Sequence, residues 1–337
     1  MEFYKEEKIF LIRDEQTNPS YGNFPEKRSI DEYLRNGIVN LDKPKGLTSH
    51  QVSKLVGKIL NAKKVGYSGT LDVNVTGILP ILLNNSTKVA PVFILMRKKY
   101  VGILRLHKDV KIEEIRKIFN YFHGKIYQKP PLKSAVKREL RVRTIYSLKI
   151  LEKEGRNVLF EVECESGTYV RKLCHDIGLL LGVGANMQEL RRIKVGCFDE
   201  GKESRMTNLY ELKDAYEFYH EEGNEELLRK VVLPIEKVTE CLRKIWISDN
   251  AIDAICHGSN LYAPGVCKLN SGIKKNELIA IMSLKNELVA LGRSIKSSDE
   301  ILNSTSGAIA KPERVIMKEG TYPRFWKKNI SKIKKIK

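Results

Sequence analysis

The chain has 337 residues, a length sufficient for about two domains with cores of their own. Basic residues outnumber acidic ones by 60 to 41, and the formal net charge of +19 is compatible both with a polyanionic partner and with a basic protein that has none. No apolar run has the length of a membrane span, and the mixed-charge N-terminus does not have the pattern of a secretory signal.

The six cysteines and six histidines form no pattern typical of a metal site or a disulfide framework. No two cysteines are spaced as a Cys-x-x-Cys pair, and the histidines do not cluster with them. We therefore expect reduced, mostly buried thiols, as in a protein of a reducing compartment, and no zinc site.

The first elements of the chain precede a polar loop. Residues 1–36 are polar and charged without a clear period, and 38–41 form a predicted short strand that ends at a Lys-Pro-Lys-Gly turn. Thr48 and Gln51 fit a capping box, and the apolar residues after them, at helical spacing, predict a helix packed on the core.

Residues 67–72, Tyr-Ser-Gly-Thr-Leu-Asp, lead into an apolar run at 78–83 that predicts a buried strand. Gly69 and Gly77 bracket this loop, and Asp72 lies near its centre. A loop on a rigid scaffold is a common place for a reactive group. An aspartate that hydrogen-bonds its own turn is the more common case, and spacing alone favours it.

The middle of the chain alternates strands and amphipathic helices. Residues 100–106 predict a strand with apolar residues on both faces, 112–122 a helix, and 160–164 a strand with one solvated face. A helix follows from Val170, with Leu180 expected on its buried face. Tyr169 and Arg171 then lie near the positive end of that helix dipole, a suitable position for approaching a carboxylate.

A basic segment lies at 128–143. Two adjacent prolines, Pro130 and Pro131, predict an extended backbone there. Its cations are Lys129, Lys133, Lys137, Arg138, Arg141 and Arg143. The segment is either a solvated loop or, with a nucleic-acid substrate, a contact to an RNA backbone, which we prefer.

The last third of the chain differs from the rest in its charge balance and in the spacing of its apolar residues. Residues 199–226 have an acidic balance, more typical of a solvated helical connector than of an acid–base site. From about 240, short alternating segments separated by turns predict a small β-rich domain.

Four blocks, in order, resemble the TruB-type pseudouridine synthases: 41–49, 67–77, 99–100 and 166–173. The segment Gln-Glu-Leu-Arg-Arg at 188–192 is also similar to a block of that family. The resemblance covers roughly residues 37–320 and is strongest toward dyskerin and its archaeal counterparts. Residues 257–266 and 292–293 resemble a PUA domain, an RNA-binding module.

The resemblance implies an α+β fold, with a mixed-sheet pseudouridine synthase catalytic domain and a small β-rich PUA domain. We expect an N-terminal extension at 1–36 that packs on the PUA domain, the catalytic domain at 37–238, the PUA domain at 239–318 and a basic tail at 319–337.

The resemblance also implies the roles of four residues. Asp72 is expected to be the catalytic carboxylate, and Arg171 to pair with it and keep it ionised. Tyr100 is expected to stack on the uracil and is a candidate for taking the carbon-five proton, while Tyr169 lines the pocket. Apart from the resemblance, core packing with a bonded hydroxyl explains each tyrosine.

Further residues are expected to bind substrate: Lys43, Tyr67, Leu190, Lys137, Arg138 and Arg141. We assign Lys43 a role in supporting the active-site loop before any chemical role. Tyr67 stands where the family usually has His and Val73 where it usually has Pro. Because tyrosine also stacks on bases, we expect altered substrate handling and retained activity.

The implied function is an RNA pseudouridine synthase without cofactor or metal, since the chain has no dinucleotide fingerprint, Walker loop or metal cluster. Its expected substrates are the T-loop uridine of tRNA, RNA selected by a box H/ACA guide, or both. Guide-dependent action implies small partners of the Nop-ten, Gar-one and L-seven-Ae kind. We expect a cytoplasmic protein of archaeal type, or a nucleolar one if eukaryotic, and no membrane association.

A catalytically idle RNA-binding scaffold is the alternative function. The set Asp72, Tyr100, Tyr169 and Arg171 argues against it, because a binding module has no need of a carboxylate paired with an arginine in a base-sized pocket.

Overall fold

The computed structural model describes residues 8–130, 137, 139–201 and 204–325. It divides into two compact units. The first consists of Val39–Leu82 and Ala90–Val232, and the described residues of the second lie within Glu2–Ile38, Leu83–Val89 and Leu233–Lys337. No helix in the described ranges has both the length and the apolar composition needed to cross a membrane.

Strands and helices are interspersed along the described residues. The strands are β1 (Ile9–Leu11), β2 (Gly37–Lys43), β3 (Val65–Tyr67), β4 (Thr76–Leu83), β5 (Lys98–Leu106), β6 (Gly124–Gln128), β7 (Arg141–Glu154), β8 (Asn157–Cys164), β9 (Ala185–Val195), β10 (Phe198–Asp199), β11 (Leu233–Pro234), β12 (Lys244–Ile247), β13 (Leu261–Tyr262), β14 (Val266–Asn270), β15 (Leu278–Ser283), β16 (Leu288–Ser294) and β17 (Ala308–Val315). The helices are α1 (Ile30–Arg35), α2 (Ser49–Ile59), α3 (Ala90–Leu95), α4 (Ile112–Tyr121), α5 (Val170–Leu180), α6 (Leu209–Glu222), α7 (Glu226–Val231), α8 (Asp249–Cys256) and α9 (Ser298–Leu302).

A mixed sheet with the order β2-β4-β9-β5-β8-β7-β6 forms the first unit, with β3 beside β4 and β10 beside β9. Strands β4 and β9 run parallel, whereas β5 pairs antiparallel with both β8 and β9. The central place of β5 confirms the strand predicted from its two apolar faces. The segment that carries Asp72 leads directly into β4, so it is anchored to the middle of this sheet.

Helices α4 and α5 pack on the first sheet through apolar side chains. Ile115 and Phe119 of α4 and Leu173 and Ile177 of α5 are buried in one cluster with Phe160 of β8. The alternation predicted for β8 is confirmed, since its even-numbered residues from Val158 to Cys164 are buried and the odd-numbered ones are partly exposed. The predicted burial of Leu180 is wrong, because this last residue of α5 is 59% exposed.

A seven-stranded sheet with the order β1-β14-β12-β15-β16-β17-β13 forms the second unit. Only β12 and β15 pair in parallel among its described strand pairs. Residues near the N-terminus are part of this unit: β1 pairs with β14, and the buried Glu287 accepts from the Asn23 amide at 3.0 Å. The predicted β-rich texture of the C-terminal part is thus confirmed.

Candidate active site

Asp72 lies in a tight turn between β3 and β4. The Val75 amide donates to the Asp72 carbonyl oxygen at 3.0 Å, which closes the turn. Gly77 has a φ of +98°, and a Cβ atom at this position would lie 2.2 Å from the Arg192 carbonyl oxygen of β9. Only glycine fits there, so the end of the loop is pressed against the neighbouring strand.

Lys43 holds the same loop through its backbone carbonyl groups. Its Nζ donates to the carbonyl oxygens of Pro44 at 2.8 Å, Val73 at 3.1 Å and Val75 at 2.9 Å. Burial lowers the pKa of this lysine. The residue is 0% exposed. Its burial and these three hydrogen bonds support the role of holding the loop, which we placed before any chemical role for Lys43.

Ser49, at the start of α2, holds the residue before the candidate carboxylate. Its hydroxyl lies 2.9 Å from the Leu71 amide and 3.1 Å from the Leu71 carbonyl oxygen. The predicted capping box of Thr48 and Gln51 is confirmed and fixes the start of this helix. The backbone on both sides of Asp72 is therefore tied to rigid elements.

The carboxylate of Asp72 forms an ion pair with Arg171, a residue 99 positions later. Arg171 lies in the first turn of α5, and both side chains are about half exposed, at 54% for Asp72 and 57% for Arg171. Such an open pair contributes little to folding stability, because water screens it. The pair holds the Asp72 carboxylate against the Arg171 guanidinium at an exposed surface.

Tyr169 precedes α5 and is held by a buried amide. Gln128, at the end of β6, accepts from the Tyr169 amide at 2.9 Å and donates to the Tyr169 carbonyl oxygen at 3.1 Å. Gln128 is 2% exposed. In the pairing of β6 with β7, Gln128 lies opposite Arg141, another residue of the basic segment.

Tyr100 lies on β5, half buried against the core cluster that includes Leu71 and Leu190. Burial raises the pKa of Tyr100 above its ordinary value, and the charge of the nearby Arg192 guanidinium offsets this rise only in part. Leu190 and Tyr100 therefore belong to one apolar cluster with the residue that precedes Asp72.

Family models match the chain in consecutive segments. They describe a DKCLD domain at residues 2–53, a TruB family pseudouridylate synthase N-terminal domain at 57–170, a tRNA pseudouridylate synthase B C-terminal domain at 171–240 and a PUA domain at 243–316. A probable tRNA pseudouridine synthase B of Methanocaldococcus jannaschii is 48% identical over 322 residues, 96% of this chain and 95% of that protein. The chain belongs to the TruB family of pseudouridylate synthases.

Other relatives and solved structures agree with this family. A probable tRNA pseudouridine synthase B of Archaeoglobus fulgidus is 49% identical and covers 96% of this chain and 98% of its own. A chain in a Cbf5-Nop10-Gar1 complex superimposes with a TM-score of 0.90 at 46% identity over 95% of this chain and 97% of that chain. A chain of an H/ACA RNP bound to a substrate RNA gives a TM-score of 0.89 at 43% identity over 96% and 98%.

The protein is thus a pseudouridine synthase, an enzyme that isomerises uridine, and the predicted combination of a TruB catalytic domain with a PUA domain is confirmed. The structure brings together Asp72 and Arg171 by direct contact, and Tyr100 and Leu190 through one cluster.

Two further predicted residues, Tyr67 and Lys137, lie elsewhere in the described part of the chain. Tyr67 is half buried on β3. Lys137 is largely exposed, forms an ion pair with Glu139 and accepts at its carbonyl oxygen from Arg141 at 3.4 Å. Arg138 lies outside the described residues.

The sequence left three residues of this site without a role, namely Ser49, Gln128 and Arg192. Ser49 is the residue after the helix cap, a position at which serine needs no special explanation. Gln128 is the first residue of the basic segment, and no local pattern distinguishes its neutral amide from the residues around it. The signal for Arg192 is its spacing of two from Leu190 on one strand, which places both on the same buried face.

Proposed function

We propose that Asp72 is the catalytic carboxylate of this pseudouridine synthase. The observation that carries the proposal is the exposed ion pair between Asp72 and Arg171, on a loop held by buried Lys43 and Ser49. Pseudouridine formation breaks the bond from the ribose to N1 of uracil and makes a bond to carbon five. The carboxylate stabilises the sugar carbon as the first bond breaks, and aspartate is ionised for this task at neutral pH.

The neighbouring side chains orient the carboxylate, bind the uracil and transfer its proton. Arg171 keeps the carboxylate ionised and oriented. Tyr100 stacks on the flipped uracil and, as the tyrosinate, accepts the proton that carbon five releases. The solvent takes up the phenolic proton of Tyr100 and supplies a proton to N1. Leu190 and Tyr169 shape the pocket. No step in this scheme requires a metal or an organic cofactor.

The substrates are proposed to be the T-loop uridine of tRNA and uridines selected by a box H/ACA guide RNA. The relatives' description as tRNA pseudouridine synthases supports the first, and the similarity to chains in H/ACA particles supports the second. Partners of the Nop10, Gar1 and L-seven-Ae kind would then complete the particle. RNA phosphates are contacted by Lys137, Arg138 and Arg141. The PUA domain at residues 239–318 acts as the RNA-binding module. The protein works in the cytoplasm of an archaeal cell.

The test follows tritium release from RNA labelled at carbon five of uridine. The chain alone is incubated with a tRNA transcript, and then with guide RNA and partner proteins. We expect release in at least one arrangement, loss of release in Asp72→Asn, and RNA affinity within about threefold of the unchanged chain. The matched control is Asp176→Asn, which removes a carboxylate that pairs with Lys172 on α5.

Two outcomes contradict the proposal. Tritium release by Asp72→Asn at the normal rate excludes Asp72 from catalysis. No release in either arrangement favours the catalytically idle scaffold, for which the basic segment and the PUA domain would suffice.

A further inference from the structure

A guanidinium lies buried in the middle of the first sheet. Arg192 on β9 is 1% exposed, and its register partners are Gly77 at the end of the Asp72 loop and Tyr100 on β5. No ion pair to it occurs within residues 8–130, 139–201 and 204–325, and the neighbouring groups that raise its pKa are the Tyr100 hydroxyl and the Cys164 thiol. Burial lowers the pKa of Arg192 overall.

The contacts of Arg192 reach both halves of the candidate site. Its Nε donates to the Ile78 carbonyl oxygen at 2.7 Å, and the strand register sets Arg192 beside Tyr100, whose pKa the guanidinium charge lowers in part. A Cβ atom on Gly69, whose φ is +72°, would lie 2.8 Å from Nη1. The turn that begins the Asp72 loop therefore rests on this guanidinium. In the part of the chain that the structure describes, Nη2 is buried without a hydrogen-bond partner.

Folding stability does not explain this arrangement. A buried charge costs several kcal/mol in lost solvation, and an apolar side chain of similar volume is often neutral or stabilising in its place. A second cation, Lys98, lies close enough that Arg192 contributes, after burial, to lowering the pKa of Lys98 to about 7. Two neighbouring cations without a carboxylate between them destabilise a core. A polar network that served only stability would also satisfy every buried donor, whereas here Nη2 has no partner among the described residues.

We propose that Arg192 is a positioning residue of the isomerisation, which aligns the Tyr100 hydroxyl with the Asp72 loop and stabilises the tyrosinate that accepts the carbon-five proton. The inference rests on the proposed roles of Asp72 and Tyr100. In the step concerned, the Tyr100 hydroxyl first gives its own proton to solvent, the bond between carbon five and hydrogen then breaks, and that proton forms a bond to the tyrosinate oxygen. The electron pair remains in the pyrimidine ring, and no oxidant or co-reactant is needed.

The test compares Arg192→Met, which keeps length and removes charge, with Arg192→Lys, which keeps charge. Arg191→Met is the matched control, because Arg191 is the adjacent arginine and pairs with Asp42 and Glu200. Single-turnover rates are measured on RNA carrying either hydrogen or deuterium at carbon five. The affinity for RNA and the thermal midpoint of unfolding are measured for each variant.

We expect Arg192→Met to lower the single-turnover rate by about 100-fold, the size of a general-base contribution. The isotope effect should increase, because the proton transfer becomes rate-limiting, while the RNA affinity stays within about threefold. Arg192→Lys should recover part of the rate, and Arg191→Met should stay within about threefold of the unchanged chain. In a Tyr100→Phe background, Arg192→Lys should cause no further loss, since both changes act on one step.

Three outcomes would overturn the inference. One is a normal rate and isotope effect in Arg192→Met. Another is a lower rate with an unchanged isotope effect and a lower unfolding midpoint, which indicates a structural role. The third is a full additional loss of single-turnover rate when Arg192→Lys is added to Tyr100→Phe. This measurement also decides the question if Arg192→Met does not fold. Activity of Asp72→Asn would instead reject the proposed site itself, so the two failures are distinguishable.

Discussion

The Ser49 hydroxyl accepts a hydrogen bond from the Leu71 amide and donates one to the Leu71 carbonyl oxygen. One side chain on α2 thus satisfies both backbone groups of the residue before Asp72. Ser49 is 1% exposed, so water cannot replace these bonds. The loop is held in place by polar contacts to its backbone, and the side chain of Asp72 stays exposed.

Replacement of Ser49 by alanine should destabilise the protein by about 1–3 kcal/mol, because two buried backbone groups lose their partner. It should also lower kcat more than it raises KM, since the carboxylate loses its fixed position while the RNA-binding surface is unchanged. Urea unfolding and steady-state kinetics on tRNA measure both effects. Ser53→Ala is the control, since Ser53 is 3% exposed on the same helix and donates to the His50 carbonyl oxygen. An equal kcat loss in both variants would contradict the prediction.

Local patterns predicted the strand at 78–83 and the helix from Ser49, because each depends on the periodicity of neighbouring residues. The partner of Asp72 was expected only through the family resemblance, since the ion pair joins residues 99 positions apart. The burial of Arg192 depends on the order of strands in the sheet, which no local period contains. Leu180 was mispredicted because helical spacing does not show where the core ends beneath a terminal turn.

Gln128 links the end of β6 to Tyr169 by two hydrogen bonds, one in each direction. Gln128→Glu replaces the donating amide by a carboxylate, which repels the Tyr169 carbonyl oxygen, and we expect a loss of about tenfold in kcat/KM from misplacement of Tyr169. Gln128→Ala should cost less, because it removes the bonds without adding a buried charge. Steady-state kinetics on tRNA measure kcat/KM for both variants. A Gln128→Glu variant more active than Gln128→Ala would disprove the prediction.

We expect Lys98 to make the stability of the protein depend on pH. Burial, with a smaller contribution from Arg192, lowers its pKa in the folded state to about 7, from an ordinary value of 10.5. Below pH 7 the lysine is charged in both the folded and unfolded states, and the folded state carries the full cost of the buried charge. Between pH 7 and 10.5 the unfolded chain binds more protons, so the free energy of unfolding rises with pH.

Lys98→Met removes this dependence. The difference in unfolding free energy between the unchanged chain and Lys98→Met should therefore shift in favour of the unchanged chain as pH increases, by at most about 1.4 kcal/mol per pH unit. Urea unfolding of both proteins from pH 6 to pH 10 measures it, and the variant comparison cancels the titration of other groups. A difference that does not vary with pH would mean that Lys98 keeps its ordinary pKa.

The basic segment is expected to contribute to RNA affinity by binding phosphates, and Lys137 is exposed enough to do so. Neutralising Lys137, Arg138 and Arg141 to glutamine should weaken RNA binding and flatten its salt dependence, by about 0.7–0.9 in logarithmic slope for each phosphate that is no longer neutralised. Binding is measured by titration at several salt concentrations. Neutralising Lys213 on α6 gives a control, because this lysine pairs with Glu217 on a surface outside the basic segment. An unchanged slope in the triple variant would place the segment in solvent, and the affinity for RNA would then have to come from other basic residues.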